Sequence, residues 1–99
     1  MCGAKAGGPS TEGLNLADEA VVQGVVTRDG EPVPGAYVRL LDGGGEFTAE
    51  VPTSATGQFR FFAAPGTWTL RTLAPKARPV DRTVVATRGQ VADLEVALV

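Results

Sequence analysis

From residue 20 to the end, the chain is a succession of short β-rich runs cut by glycine and proline, with no sustained 3.6-residue apolar period anywhere. That pattern leaves little choice of fold. Runs of this length cannot cover a helix face, but they alternate with period two, which places successive side chains on opposite sides of a sheet. The runs fall at residues 20–27, 36–42, 47–51, 58–63, 67–73, 80–87 and 91–98, giving seven predicted strands. Turns are marked by Asp29-Gly30 with Pro32, by Gly43-Gly44-Gly45, by Thr56-Gly57, by Pro65-Gly66, by the proline-containing loop 74–79 and by Arg88-Gly89. Seven short strands with turn signals between them predict an all-β, antiparallel sandwich over residues 19–99. Residues 1–18 hold three glycines before Pro9, and then Gly13, without a period; they are expected to form a flexible arm.

The alternation also assigns faces. Val22, Val38, Leu40, Phe47, Phe59, Phe61, Trp68 and Leu70 take the inward parity and form the expected core. Trp68 shares its parity with Leu70, which favours a core position over a carbohydrate-stacking platform. On the outward parity stand Tyr37, Arg39, Leu41, Arg60, Phe62 and Arg71. A water-facing sheet surface is expected to be mostly polar. This one interleaves large apolar side chains with arginines, the composition of an interface centre with a charged rim. Two readings stay open: a binding surface, or a patch covered by the N-terminal arm or a loop. Glu46 and Glu50 lie on one outward side by alternation and read as a solvated face.

Three clusters resemble the carboxypeptidase-regulatory-like, or transthyretin-like, β-sandwich superfamily. They are Val22-Gln23-Gly24-Val25-Val26, then Asp29-Gly30-Glu31-Pro32-Val33-Pro34-Gly35-Ala36-Tyr37-Val38-Arg39-Leu40, then Thr56-Gly57-Gln58-Phe59-Arg60-Phe61 continued by Pro65-Gly66-Thr67-Trp68-Thr69-Leu70. The resemblance implies a seven-stranded prealbumin-like sandwich. More narrowly, Leu40-Leu41-Asp42, Glu46-Phe47-Thr48-Ala49-Glu50-Val51 and Phe59-Arg60-Phe61-Phe62-Ala63-Ala64-Pro65-Gly66, with Met1-Cys2, resemble a small actinobacterial SseC-like family of unknown function. That likeness implies an association with sulfur metabolism and with a thiosulfate sulfurtransferase, a rhodanese, as partner.

Missing residue types narrow the chemistry. The sequence contains no histidine, so Ser-His and Cys-His nucleophile pairs and histidine-based zinc or iron sites are out of reach within this chain. Transthyretin-like hydrolases and intradiol dioxygenases depend on histidines, and the chain departs from them there. The lysine–asparagine isopeptide bond of related pilin domains fails as well. Lys5, Lys76 and Asn15, the only lysines and the only asparagine, fall outside the required first and last strands. No cofactor, no metal and no catalytic residue is therefore expected. A net charge of −2 without a basic run gives no electrostatic reason for a nucleic-acid or membrane partner. With no apolar stretch near the ~20 residues a membrane helix needs, and no leader pattern ahead of Cys2, the cytoplasm is the default location.

Cys2 is the sole thiol. Removal of the initiator methionine would leave it beside the terminal ammonium and near Lys5, which favours the thiolate. An arm of about 15 residues has a reach of roughly 20 Å, enough to enter a partner's active site. Two functions follow: an accessory protein that accepts sulfane sulfur on Cys2, or a structural or self-associating interaction module without sulfur chemistry.

Overall fold

The computed structural model describes residues 3–6 and 19–99. Its strands are β1 (Gly3–Ala6), β2 (Ala20–Arg28), β3 (Glu31–Pro32), β4 (Tyr37–Leu41), β5 (Phe47–Pro52), β6 (Gln58–Ala63), β7 (Gly66–Leu73), β8 (Val80–Ala86) and β9 (Val91–Leu98). They build two sheets. Sheet A holds β1, β6, β2 and β9 side by side, with the short β3 also on β2, and sheet B runs β5-β4-β7-β8. The expected all-β sandwich is the fold of this protein.

Its core is the side chains caught between the sheets. Val22, Val26, Phe59, Phe61 and Val96 come from sheet A, and Val38, Leu40, Val51 and Leu70 from sheet B. Phe59 and Phe61 are fully buried with tilted rings 6.3 Å apart between centroids, a favoured aromatic geometry. Trp68 is half-buried against this cluster, and its indole Nε1 donates to the Ala64 carbonyl at 2.9 Å.

Turn chemistry explains the connections. Asp29 and Gly30 have φ of 53° and 82° between the paired residues Arg28 and Glu31. Two positive φ values in a two-residue loop match the twist of a tight hairpin, and Asp-Gly supplies them at low cost. Gly24 serves a different need. A Cβ there would overlap the Leu94 carbonyl oxygen of β9 and press on the Phe59 ring, so glycine is what lets β9 lie against β2.

Three details depart from the sequence expectations. First, β9 pairs with β2 in parallel, from Val21↔Val91 to Arg28↔Leu98, while the other strand pairs are antiparallel. The Gly89 amide donates to the Glu19 carbonyl, so both strands leave the same end of the sandwich and must run the same way. Second, Phe47 is not in the core; it is 61% exposed. Leu40 faces Ala49 but Leu41 faces Phe47, so Thr48 is an extra residue. This β-bulge flips Phe47 to the outer side. The same bulge breaks the alternation that put Glu46 and Glu50 together. Third, part of the N-terminal arm is a strand: Gly3–Ala6 pairs with β6 from Gly3↔Phe62 to Ala6↔Phe59.

Candidate functional site: the outer face of sheet B

The outward side chains of sheet B form rows across its four strands. Glu50 on β5 lies opposite Arg39 on β4, Arg39 opposite Arg71 on β7, and Arg71 opposite Asp81 on β8. Two like charges directly opposite each other on a sheet are unfavourable by themselves. Here each arginine is drawn to a carboxylate on its far side. Arg39 Nε donates to Glu50 Oε2 at 2.7 Å, while Arg71 grips Asp81 with Nε to Oδ1 at 2.9 Å and Nη2 to Oδ2 at 3.0 Å. The result is a neutral stripe in the order carboxylate, guanidinium, guanidinium, carboxylate. The Arg71 hydrogen bond holds the Asp81 carboxyl below the usual carboxylate range, and the same bond raises Arg71.

Apolar side chains flank the stripe. On one side Tyr37, 50% exposed, faces Pro52 and Leu73 across the strands. On the other, Leu41 lies between Phe47 and Thr69, and Val85 follows at the far end opposite Thr67. Phe47 and Val85 are more than half exposed, whereas Leu41 is 6% exposed. Among the described residues, Tyr37, Phe47 and Val85 make up three of the four exposed large hydrophobic side chains. Alternation could not have found Phe47, because the bulge that turns it outward leaves no signature in the periodicity.

The six outward residues of the sequence reading do not form one patch. Tyr37, Arg39, Leu41 and Arg71 share the outer face of sheet B, while Arg60 and Phe62 lie on β6 in sheet A, on the opposite side of the sandwich. Parity separates inside from outside but says nothing about which layer a strand joins. Arg60 is 7% exposed, and its Nε donates to Gln23 Oε1 at 3.0 Å. Phe62 is half-buried.

Cys2 lies outside the described residues, but its neighbour Gly3 is paired opposite Phe62. The 15-residue tether expected from the sequence is thus interrupted by a strand next to the thiol. Among the described residues no group of three or more His, Cys, Asp or Glu side chains could hold a metal ion, and no helix is long and apolar enough to cross a membrane.

Sequence relatives place the chain in a family, and solved structures share its architecture. The chain is 58% identical over 76 residues to an uncharacterised protein of Mycobacterium tuberculosis, covering 75% of this chain and 76% of that one. It is 64% identical over 63 residues to an uncharacterised protein of Mycolicibacterium smegmatis, covering 63% of this chain and 70% of that one. Among solved structures it resembles the major pilin subunit of Bacillus cereus, with a TM-score of 0.68 at 18% identity, over 81% of this chain and only 28% of the pilin. It also resembles the dioxygenase domain of a Streptomyces dioxygenase–carbohydrate-binding fusion, with a TM-score of 0.66 at 13% identity, over 90% of this chain and 84% of that one. At such identities the likeness is one of fold alone. A family model described as a protein of unknown function, DUF1416, matches residues 2–98, and the chain belongs to that family.

Proposed function

We propose that the protein is a non-catalytic interaction module that docks a protein partner on the outer face of sheet B. The observation that carries this reading is the exposure of Tyr37, Phe47 and Val85 around the Glu50–Arg39–Arg71–Asp81 stripe. Apolar area exposed on a sheet face marks a binding surface when it is contiguous and rimmed by polar groups. The stripe adds register, because a partner must present its charges in matching order. The absence of histidine from the sequence supports a binding role over acyl transfer or intradiol cleavage. Replacing Tyr37 and Phe47 with aspartate tests the reading. The double variant should remain folded and lose association, read either as its own oligomeric state or as capture of a partner from the native cell. Unchanged association in both assays refutes it.

A second proposal is that Cys2 accepts sulfane sulfur. It rests on Cys2 being the only thiol in the sequence, on the SseC-like resemblance, and on the attachment of Cys2 to a strand that pairs at Phe62. The Cys2 thiolate would attack the outer sulfur of a donor persulfide, forming a persulfide on Cys2 and releasing the donor thiolate. Incubation with a persulfidated rhodanese should add one sulfur to the intact mass, removable by reductant and absent in Cys2→Ser. A wild-type protein that gains no mass from a demonstrably loaded donor ends this proposal and leaves the docking proposal standing.

A further inference from the structure

The outer face of sheet B carries its charges in a symmetric order, and that order selects among partners. Glu50, Arg39, Arg71 and Asp81 stand opposite one another on β5, β4, β7 and β8, so the stripe reads negative, positive, positive, negative from either end. Consider a second copy packed face to face on it about a two-fold axis in the contact plane. With the axis through the stripe's centre and along the strands, Glu50 falls on the other copy's Asp81, and Arg39 on its Arg71. With the axis along the stripe, each residue falls on itself. Either way like charge meets like, which costs free energy at an interface. Sliding the axis by one strand matches Glu50 with Arg39 but leaves β7 and β8 outside the contact. The pattern therefore disfavours a second copy and favours another protein of complementary charge.

The two arginines at the centre keep donors to spare. A guanidinium has five N–H groups. Arg39 uses its Nε on Glu50, and Arg71 uses Nε and Nη2 on Asp81. Their side chains remain 43% and 44% exposed. As directly opposed residues on β4 and β7, they have Cα atoms about 5 Å apart, so one carboxylate above the pair can accept from both. Such a carboxylate also offsets the repulsion between the two cations. The rows on either side are apolar: Pro52, Tyr37 and Leu73 on one, Phe47 and Leu41 on the other. Each lies two residues along the strand from the arginines, about 6.8 Å away. Residues i−2, i and i+2 of an extended segment laid along β4 and β7 have the same spacing.

We propose that the partner is a different protein whose docking segment presents a glutamate or aspartate to the Arg39–Arg71 pair, with apolar side chains two residues to either side. The carboxylate accepts from both guanidinium groups, and its apolar neighbours cover the Tyr37 row and the Phe47–Leu41 row. Glu50 and Asp81, at the two ends of the stripe, repel a partner that is acidic throughout and so confine the negative charge to the centre. The inference rests on the reading of sheet B as a docking face and adds to it the chemistry of the occupant.

NMR titration of the full-length chain with the blocked peptide Leu-Ser-Glu-Ser-Leu tests this, because the sequence reads the same in either direction along the strands. The Nε–Hε signals of Arg39 and Arg71 and the ring signals of Tyr37 and Phe47 should shift together and saturate. The peptide with glutamine in place of glutamate should bind at least ~5-fold more weakly, since a charge-assisted hydrogen bond is roughly twice as strong as a neutral one. In a variant carrying Arg39→Gln and Arg71→Gln the two peptides should bind alike; both arginines are surface side chains, and Trp68 fluorescence checks that the sandwich is intact. Equal binding of the two peptides to the wild type overturns the carboxylate assignment and leaves the docking face standing. No shift of any of these signals with the glutamate peptide overturns it as well, and the docking reading is then decided by the Tyr37 and Phe47 aspartate variant alone. Sedimentation showing a wild-type dimer that this aspartate variant abolishes would support docking on sheet B while refuting a different protein as the occupant.

Discussion

Replacing Gly24 with alanine isolates the contact on which the β2–β9 pairing depends. Two effects oppose each other. Alanine removes conformational freedom from the unfolded chain and suits a strand interior better than glycine, a gain of about 0.5–1 kcal/mol. Against that, the new Cβ would overlap the Leu94 carbonyl oxygen and approach Phe59 Cζ at 3.0 Å. The first obstacle is backbone, and it is held by a parallel register running from Val21↔Val91 to Arg28↔Leu98, so it cannot rotate away as a side chain would. Overpacking of this kind costs about 1–3 kcal/mol and occasionally more; a rigid obstacle places it at the upper end. The net loss is then about 2 kcal/mol, which for a domain of this size lowers Tm by roughly 10 °C. Thermal unfolding followed by circular dichroism measures it. Gly44→Ala is the control, because Gly44 is exposed, has no positive φ, and its Cβ would meet only Asp42 Oδ1 at 3.5 Å. A Gly24→Ala protein as stable as wild type would mean that β9 does not lie against β2 at Leu94.

Phe61→Ala should cost about 3–5 kcal/mol, as for other fully buried aromatics, and urea unfolding would show it as a large fall in midpoint. Phe47→Ala, by contrast, should change stability by less than ~0.5 kcal/mol because the ring is already mostly in water; a large loss would put Phe47 back in the core. Asp81 gives a pH prediction. Its folded pKa is lowered by Arg71, so its contribution is present above the unfolded value of about 3.9 and is lost as pH falls through the folded value. Asp81→Asn should therefore flatten part of the acid limb of stability below about pH 4, and an unchanged acid limb would remove the Arg71 bond from the account.

The sheet content and most of the core were legible in the sequence because period-two alternation and turn residues act locally. Val38, Leu40, Phe59, Phe61 and Leu70 are buried where alternation puts them. Phe47 was not legible, since the bulge at Leu41 depends on how β4 meets β5. The direction of β9 was equally hidden: a strand's alternation reads the same whether its neighbour is parallel or antiparallel. The candidate surface was half legible. Tyr37, Arg39, Leu41 and Arg71 fell on one face as their parity required, but joining Arg60 and Phe62 to them needed knowledge of which strands share a sheet. Nor could the carboxylate partners Glu50 and Asp81 be assigned without the register.

Hydroxyl-radical footprinting of Tyr37 and Phe47, in the purified protein and in extract of the native cell, tests the proposed docking face most directly. Both side chains are exposed in the isolated chain, and Val99, 81% exposed, serves as an internal reference. The docking proposal predicts that oxidation of Tyr37 and Phe47 falls in the extract relative to Val99, and that Phe47→Asp restores Tyr37 to its isolated rate. Equal relative rates at both residues in the two samples would contradict it and leave the outer face of sheet B as ordinary surface.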